Sequence, residues 1–289
     1  MDGSFKKNFV WSSIFVLILV NVYLWQFIFS LDGNLKVVFF DVGQGDSIFI
    51  ETPQGHQILI DGGPGQKVLT NLSKVMPFWD RSIDLLVATH PDYDHLSGLV
   101  SVLERYQVDN IVWNGQESAS KTFTDWQEAV SRGSAREFVG QRGLVIKADK
   151  ARFITLWPDK SSANQSQGGS NDGSIVLLLN YGLNKFLFTG DITSKSEKVL
   201  VSRDIALLKA DVLKVGHHGS KYSSSPDFLG AVSPLLAVIS CGVNNFYGHP
   251  HQEVLSNLQE FAITILRTDQ KGDITITSNG SNFKYKNKL

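Results

Sequence analysis

Cysteine is almost missing from this chain. The single residue, Cys241, has no partner for an intrachain disulfide and cannot form a thiolate zinc module. An excess of either charge is missing too: 27 Lys and Arg face 28 Asp and Glu, a net charge of −1. That balance excludes a protein that coats nucleic acid by bulk charge, although a local basic groove stays open. No internal repeat occurs. Hydrophobic residues make up 42% and charged residues 19% of the 289 positions, a globular composition that excludes disorder over most of the length.

One long hydrophobic run is present, near the start. From Phe9 to Phe29 no residue is charged, and Val, Ile, Leu, Phe and Trp dominate. About 20 apolar residues at ~1.5 Å each cross a ~30 Å hydrocarbon core. Trp11, Tyr23 and Trp25 stand where interfacial aromatics sit. A cleaved signal peptide has a shorter apolar core followed by a small-x-small site, and Phe27-Ile28-Phe29-Ser30-Leu31 has none. The expectation is a single uncleaved transmembrane helix within residues 1–30, followed by a catalytic domain over 31–289. A cleaved signal or a buried helix are the alternatives. Lys6 and Lys7 precede the run, so the positive-inside preference keeps them cytoplasmic and puts the domain on the extracytoplasmic side of the cell membrane.

From Leu35 onward strands and helices alternate. Strands are expected at 36–40, 47–51, 57–60, 83–89, 111–113, 175–180, 185–189, 211–215, 235–240, 263–267 and 273–277. Helices are expected at 96–106, 122–131, 194–202 and 251–260. Asp159–Gly173 reads as a long polar loop. Strand sets before and after it suggest two face-to-face sheets with helices outside, an α/β class.

The seven histidines carry the chemistry, since six fall in three short clusters. Thr89-His90-Pro91-Asp92-Tyr93-Asp94-His95 follows an apolar strand. Two further clusters, Thr189-Gly190-Asp191 and Gly216-His217-His218-Gly219-Ser220, follow later strands. Imidazoles and carboxylates converging at strand ends suit a divalent cation. Asn244-Asn245, Tyr247 and Gly248-His249-Pro250 form another group of polar donors. His56 reads as a surface residue, His251 as the start of a helix, and Cys241 as a small buried hydrophobe.

His90-x-Asp92-x-Asp94-His95, then Thr189-Gly190-Asp191, then His217-His218-Gly219-Ser220 resembles the metallo-β-lactamase fold, an αββα sandwich of metal-dependent hydrolases. The usual motif has a histidine where this chain has Asp92. With Phe40-Asp41-Val42-Gly43-Gln44-Gly45-Asp46-Ser47, Leu59-Ile60-Asp61-Gly62-Gly63 and Asn244-Asn245-x-Tyr247-Gly248-His249-Pro250, the pattern is similar to the hydrolase domain of ComEC-type competence proteins. The likeness spans roughly residues 35–278. The membrane-channel domain of full-length ComEC proteins is not in this sequence, so a separate channel protein is an expected partner.

The resemblance implies two divalent ions. One would be held by His90 and Asp92, the other by Asp94, His95 and either His217 or His218, with Asp191 bridging. The broader fold carries a further histidine ahead of the strand near Ser174; here Ser170, Asn171 and Asp172 occupy that region. An oxygen-rich site keeps Mn²⁺, Zn²⁺ and Mg²⁺ open. Two ions ~3.5–4 Å apart activate water and neutralise charge on a phosphodiester, with DNA the first candidate substrate. Asp94 or Asp191 would accept the water proton, and His249 would protonate the leaving group. Ser220, Asn245 and Tyr247 would contact substrate. Asp41, Asp46 and Asp61 would either orient the histidines or form glycine-rich turns. The competing functions are hydrolysis of a lactone, thioester or β-lactam, and a non-catalytic subunit that binds DNA or a partner.

Overall fold

The computed structural model describes residues 3–30, 33–159 and 170–287, and within the first segment the side chains of 7–23 and 25 only. Residues 160–169, most of the expected polar loop, lie outside the described residues.

After helix α1 (Gly3–Ser30) the chain builds one sheet from β1 (Leu35–Phe39), β2 (Ile48–Glu51), β3 (Gln57–Ile60), β4 (Ser82–Ala88), β5 (Gln107–Trp113) and β6 (Arg136–Val139). A second sheet takes β7 (Val145–Ala148), β8 (Ala151–Trp157), β9 (Val176–Tyr181), β10 (Asn184–Phe188), β11 (Val212–Lys214), β12 (Leu236–Ile239) and β13 (Thr264–Arg267). The chain then returns, placing β14 (Ile274–Ser278) beside β1 and β15 (Phe283–Asn287) on the edge. The long loop therefore does not divide the sheets, contrary to expectation. It interrupts the second sheet, between β8 and β9.

Most of the strands bury both faces and read as near-continuous apolar runs, because helices cover the outer faces. Leu35, Val37 and Phe39 meet Leu177, Leu179, Phe186 and Phe188 between the sheets. Val38, Phe49, Leu59 and Leu86 face α2 (Lys67–Val75), α3 (Tyr93–Leu103) and α4 (Lys121–Arg132). Leu178, Leu187, Leu213 and Ala237 face α5 (Ser194–Leu208), α6 (Pro226–Val232) and α7 (Gln252–Glu260). The result is an αββα sandwich.

Strands β3, β4, β5 and β6 run parallel, as do β10, β11, β12 and β13. Their carboxyl ends gather on one edge, and the segments that follow β3, β4, β10, β11 and β12 carry Asp61, His90–His95 (the last two residues in the first turn of α3), Asp191, His217–His218 and His249. Ligand sites of open α/β sheets form outside such carboxyl ends.

The expected membrane span falls on α1. Its side chains Phe9, Trp11, Phe15, Leu17, Tyr23 and Trp25 are exposed. Among the described residues no helix is long and apolar enough to cross a membrane.

Candidate metal centre

Backbone contact brings the β1–β2 loop, the β3 end and α3 together. Gly62 N donates to His95 O at 2.8 Å, and Gly98 N donates to Gly63 O at 2.8 Å. A Cβ on Gly98 would lie 2.0 Å from Gly62 O, so the close approach requires glycine. Gly45 is equally constrained: its Cβ would meet Asp94 O at 2.2 Å, while Asp46 N donates to that oxygen.

The three cluster histidines His90, His95 and His218 have their Nδ1 atoms engaged. Asp61 Oδ2 lies 2.8 Å from His95 Nδ1, and the carbonyl of Ser240 lies 2.9 Å from His218 Nδ1. The Thr89 hydroxyl donates to Asp61 Oδ2 at 2.7 Å, so its lone pair is free to accept from His90 Nδ1 at 3.0 Å. This network assigns the tautomer: His90 keeps the lone pair on Nε2, which is buried and has no hydrogen-bond partner. The backbone turns needed for this arrangement are unusual. Asp61, His217 and His218 all adopt left-handed φ (56°, 48° and 54°), a conformation that costs about 1–3 kcal/mol per residue outside glycine.

The remaining donor atoms converge. Asp191 Oδ2 lies 3.3 Å from His95 Nε2 and 3.2 Å from His218 Nε2. Those two nitrogens are 3.3 Å apart, and His218 Nε2 is 3.4 Å from Asp94 Oδ2. Spacings of this size are those of ligand atoms ~2.0–2.2 Å from a shared centre in tetrahedral geometry. His90, His95 and Asp191 form an adjacent group, and Asp92 Oδ2 is 3.7 Å from His90 Nε2. Asp92 is the N-cap of α3, where an aspartate ordinarily bonds the helix amides, yet its carboxylate makes no cap bond. The donor set fits divalent cations on chemistry and on the unpartnered His90 Nε2.

Electrostatics separate the histidines. Burial, reinforced by the neighbouring His95, lowers the His90 pKa to about 4, so its ring is neutral. Burial also opposes charge on His95 and His218, but Asp191, with Asp61 for the first and Asp46 for the second, outweighs it and raises both well above the usual value. Without a cation these two rings carry protons where ligand lone pairs are needed.

The structure separates His217 from His218. Only His218 turns Nε2 into the cluster; His217 lies 3.3–3.4 Å from the Asn171 amide, on the side where the broader fold has its extra histidine. Asp172 is occupied elsewhere, accepting from Thr193 and Ser196 near the start of α5. Asp41 touches Gly43, Lys67 and Asp273 rather than a histidine, which makes it a turn residue. Asn245, expected to contact substrate, has its amide engaged within its own loop: it bonds Gly242 O, His249 O and His249 N. Ser220 is buried within the turn after His218. Tyr247 is 66% exposed and stacks on His249, ring centroids 5.6 Å apart. The His249 ring lies 5.5 Å from that of His217 and 6.3 Å from that of His218. Burial, with the neighbouring histidines adding to it, lowers its pKa to about 4, so the ring is neutral near pH 7 and has no imidazolium proton to give.

Sequence reasoning passed over Lys214 and Thr89. Lys214 is fully buried, and its ammonium contacts Gly190 O at 2.8 Å, Asp191 Oδ1 at 3.3 Å and the carboxylate of Asp46. The available signal was a lysine inside the apolar run Val212-Leu213-Lys214-Val215, immediately before the histidine pair.

The Metallo-beta-lactamase superfamily profile matches residues 40–243. This chain belongs to that superfamily. It is 34% identical over 278 residues to ComE operon protein 3 of Bacillus subtilis, covering 90% of this chain and 34% of that protein. It is 33% identical over 195 residues to Competence protein ComA of Neisseria gonorrhoeae, covering 66% of this chain and 25% of the relative. The chain thus spans about a third or less of these relatives' length. The metallo-β-lactamase fold protein YhfI of Bacillus subtilis superposes with a TM-score of 0.55 at 11% identity, covering 81% of this chain and 96% of YhfI, a likeness of fold alone. The protein is a ComEC-like metallo-β-lactamase-fold protein with a His/Asp cluster suited to metal ions.

Proposed function

We propose that the domain is a two-metal phosphodiesterase that cleaves DNA in the setting of DNA uptake. The observation that supports this reading is the convergence of His95 Nε2, His218 Nε2 and Asp191 Oδ2 within 3.3 Å, beside the unpartnered His90 Nε2. Asp92, in place of a histidine, makes the first position rich in oxygen and suits Mn²⁺ or Mg²⁺ at least as well as Zn²⁺. The competence names of the relatives supply the DNA setting.

In this reading His90 and Asp92 would hold one ion, Asp94, His95 and His218 the other, and Asp191 would be shared between them. Bound divalent ions supply Lewis acidity towards phosphoryl oxygens and an activated water. The chain's own residues do the rest. Asp61, Thr89 and the Ser240 carbonyl hold each imidazole so that Nε2 faces inward. Asp94 is partly exposed, and His218 and His95 outweigh burial to hold its carboxyl well below the usual carboxylate range, so it stays ionised, whereas Asp191 has one oxygen engaged by Lys214. His249 stands beside the cluster as a neutral donor, held by Asn245 and walled by Tyr247. The apolar side chains exposed along α1 support attachment of the domain to a membrane, with Lys6 and Lys7 on the cytoplasmic side and a channel protein as partner.

The test uses the full chain in detergent, stripped with chelator and reloaded with Mn²⁺, Zn²⁺ or Mg²⁺. Labelled single- and double-stranded DNA, a nitrophenyl phosphodiester and nitrocefin are offered in parallel. Metal-restored cleavage of the phosphodiesters is the expected result. Turnover of nitrocefin with every phosphodiester left intact would sink the reading. Membrane attachment is checked by alkaline carbonate extraction of the chain expressed with and without residues 1–30.

A further inference from the structure

Lys214 ends β11, paired with Phe188 of β10 and Val238 of β12 in the middle of the second sheet. A buried ammonium is tolerated only when its charge and all its protons are matched. Here three donors meet three acceptors: the carbonyl of Gly190, Asp191 Oδ1 and an oxygen of Asp46. The consequence falls on Asp191. Its backbone N–H donates to Ser174 Oγ at 3.1 Å, which fixes where the side chain begins. Its Oδ1 is then turned towards Lys214, and only Oδ2 is directed at His95 and His218. Asp46, the other carboxylate on the ammonium, has its second oxygen 3.5 Å from His218 Nδ1, which bonds the Ser240 carbonyl instead, so Asp46 makes no hydrogen bond to the cluster.

We infer that Lys214 is a positioning residue which divides the Asp191 carboxylate, reserving Oδ1 for itself and presenting Oδ2 as a single-oxygen ligand to the cations. The inference rests on the reading of this cluster as the metal centre. Without the ammonium the carboxylate is free to rotate about its Cβ–Cγ bond and offer both oxygens to one ion, leaving its neighbour under-ligated. Residues placed behind metal ligands in this way are worth about 10–100-fold in metal affinity. A lysine kept only to neutralise Asp46 in the folded interior carries no such effect on the ions.

The deciding experiment compares the full-length protein with the double variant Lys214→Met/Asp46→Asn. The pair removes one positive and one negative charge together and keeps volumes close, so the fold is not left with an unpaired ammonium. Melting temperature of the metal-free form, metal content by elemental analysis and Mn²⁺ affinity by competition with a chelating dye are measured. Asp46→Asn alone, which leaves Lys214 on Asp191 Oδ1 and Gly190 O, is the reference, and the expected result is a melting temperature near that of the parent with Mn²⁺ affinity lower than in this single variant by at least about tenfold. Affinity and stoichiometry in the double variant equal to those of Asp46→Asn would overturn the role of Lys214 and leave the metal centre standing. Failure of the parent itself to bind a stoichiometric metal would overturn the metal reading, and this inference with it. Should the double variant not fold, Lys214→Arg provides the same comparison, because it keeps the charge but cannot place the same three donors. Reduced affinity in Lys214→Arg supports positioning, and unchanged affinity refutes it.

Discussion

Asp61 Oδ2 lies 2.8 Å from His95 Nδ1 and also accepts the Thr89 hydroxyl, whose oxygen faces His90 Nδ1. One buried carboxylate therefore orients two imidazoles, one directly and one through a hydroxyl. Orienting groups of this kind set both the tautomer and the basicity of a ligand. The left-handed backbone of Asp61 is part of how it reaches both.

That relay has graded consequences. Asp61→Asn is expected to weaken binding of both ions, by about 10–100-fold in affinity. Thr89→Val removes only the link to His90 and is expected to weaken one ion while sparing the other. Stepwise titration with Mn²⁺ against a chelating dye separates the cases. Equal loss at both steps in Thr89→Val would contradict the relay.

The charge state of His95 and His218 sets a pH dependence. Their pKa values are raised in the metal-free fold because Asp191, with Asp61 and Asp46, outweighs burial. A raised folded pKa contributes stability that is full below the unfolded value of ~6.5 and is lost as pH rises through the folded value. A cation must displace those protons, so its advantage grows in the same direction. The gain in melting temperature on adding Mn²⁺ is expected to increase between about pH 6 and 9. A gain that stays flat or shrinks would show that the two rings are neutral without metal.

Gly98 offers a test of how the fold holds the site. A methyl there meets Gly62 O at 2.0 Å, backbone against backbone, and neither element can yield without moving the other. Gly98→Ala is expected to cost about 1–3 kcal/mol of stability through overpacking. Gly62 N also holds the His95 carbonyl, so metal affinity is expected to fall along with the melting temperature. Unchanged values of both by calorimetry and dye competition would mean that the glycine contact is slack.

Much of this arrangement was legible from the residues. Apolar runs ending in His90–His95, Asp191 and His217–His218 place the polar clusters at strand ends, and β3 was readable to the residue from its flanking turns. Pairing between distant segments was not. β7 and β8 precede the long loop yet join the second sheet, and β14 returns to β1 across more than two hundred residues. Residue periodicity carries no record of such long-range pairing. β6 is exposed along its length and lacks the apolar signal of a buried strand, and α2 has an apolar stripe of only Val68, Leu72 and their neighbours. The choice between His217 and His218 depended on two consecutive left-handed residues, which no spacing rule anticipates. Lys214 was hidden by its surroundings, since a lysine in a strand ordinarily reaches solvent.

His249 remains the group whose chemistry is sharpest to test. Its ring lies beside His217 and His218 and under Tyr247, and its Nδ1 is buried without a partner. Burial, with the His218 ring adding to it, lowers its pKa to about 4, so between pH 6 and 8 it acts as a neutral hydrogen-bond donor rather than as an imidazolium acid. A depressed histidine pKa puts no titration of its own in that range. The rate of phosphodiester cleavage is therefore expected to show no His249-dependent limb near pH 6.5. His249→Ala is expected to lower the rate most on a substrate with an alkoxide leaving group, by up to about 10²-fold, and less on a nitrophenyl ester. Metal content should be unchanged, since His249 lies outside the groups that converge on a cation. A limb near pH 6.5 in the parent that disappears in His249→Ala would show that the ring is an imidazolium acid after all. Equal slowing of both substrates with a lower melting temperature would reduce it to a packing residue.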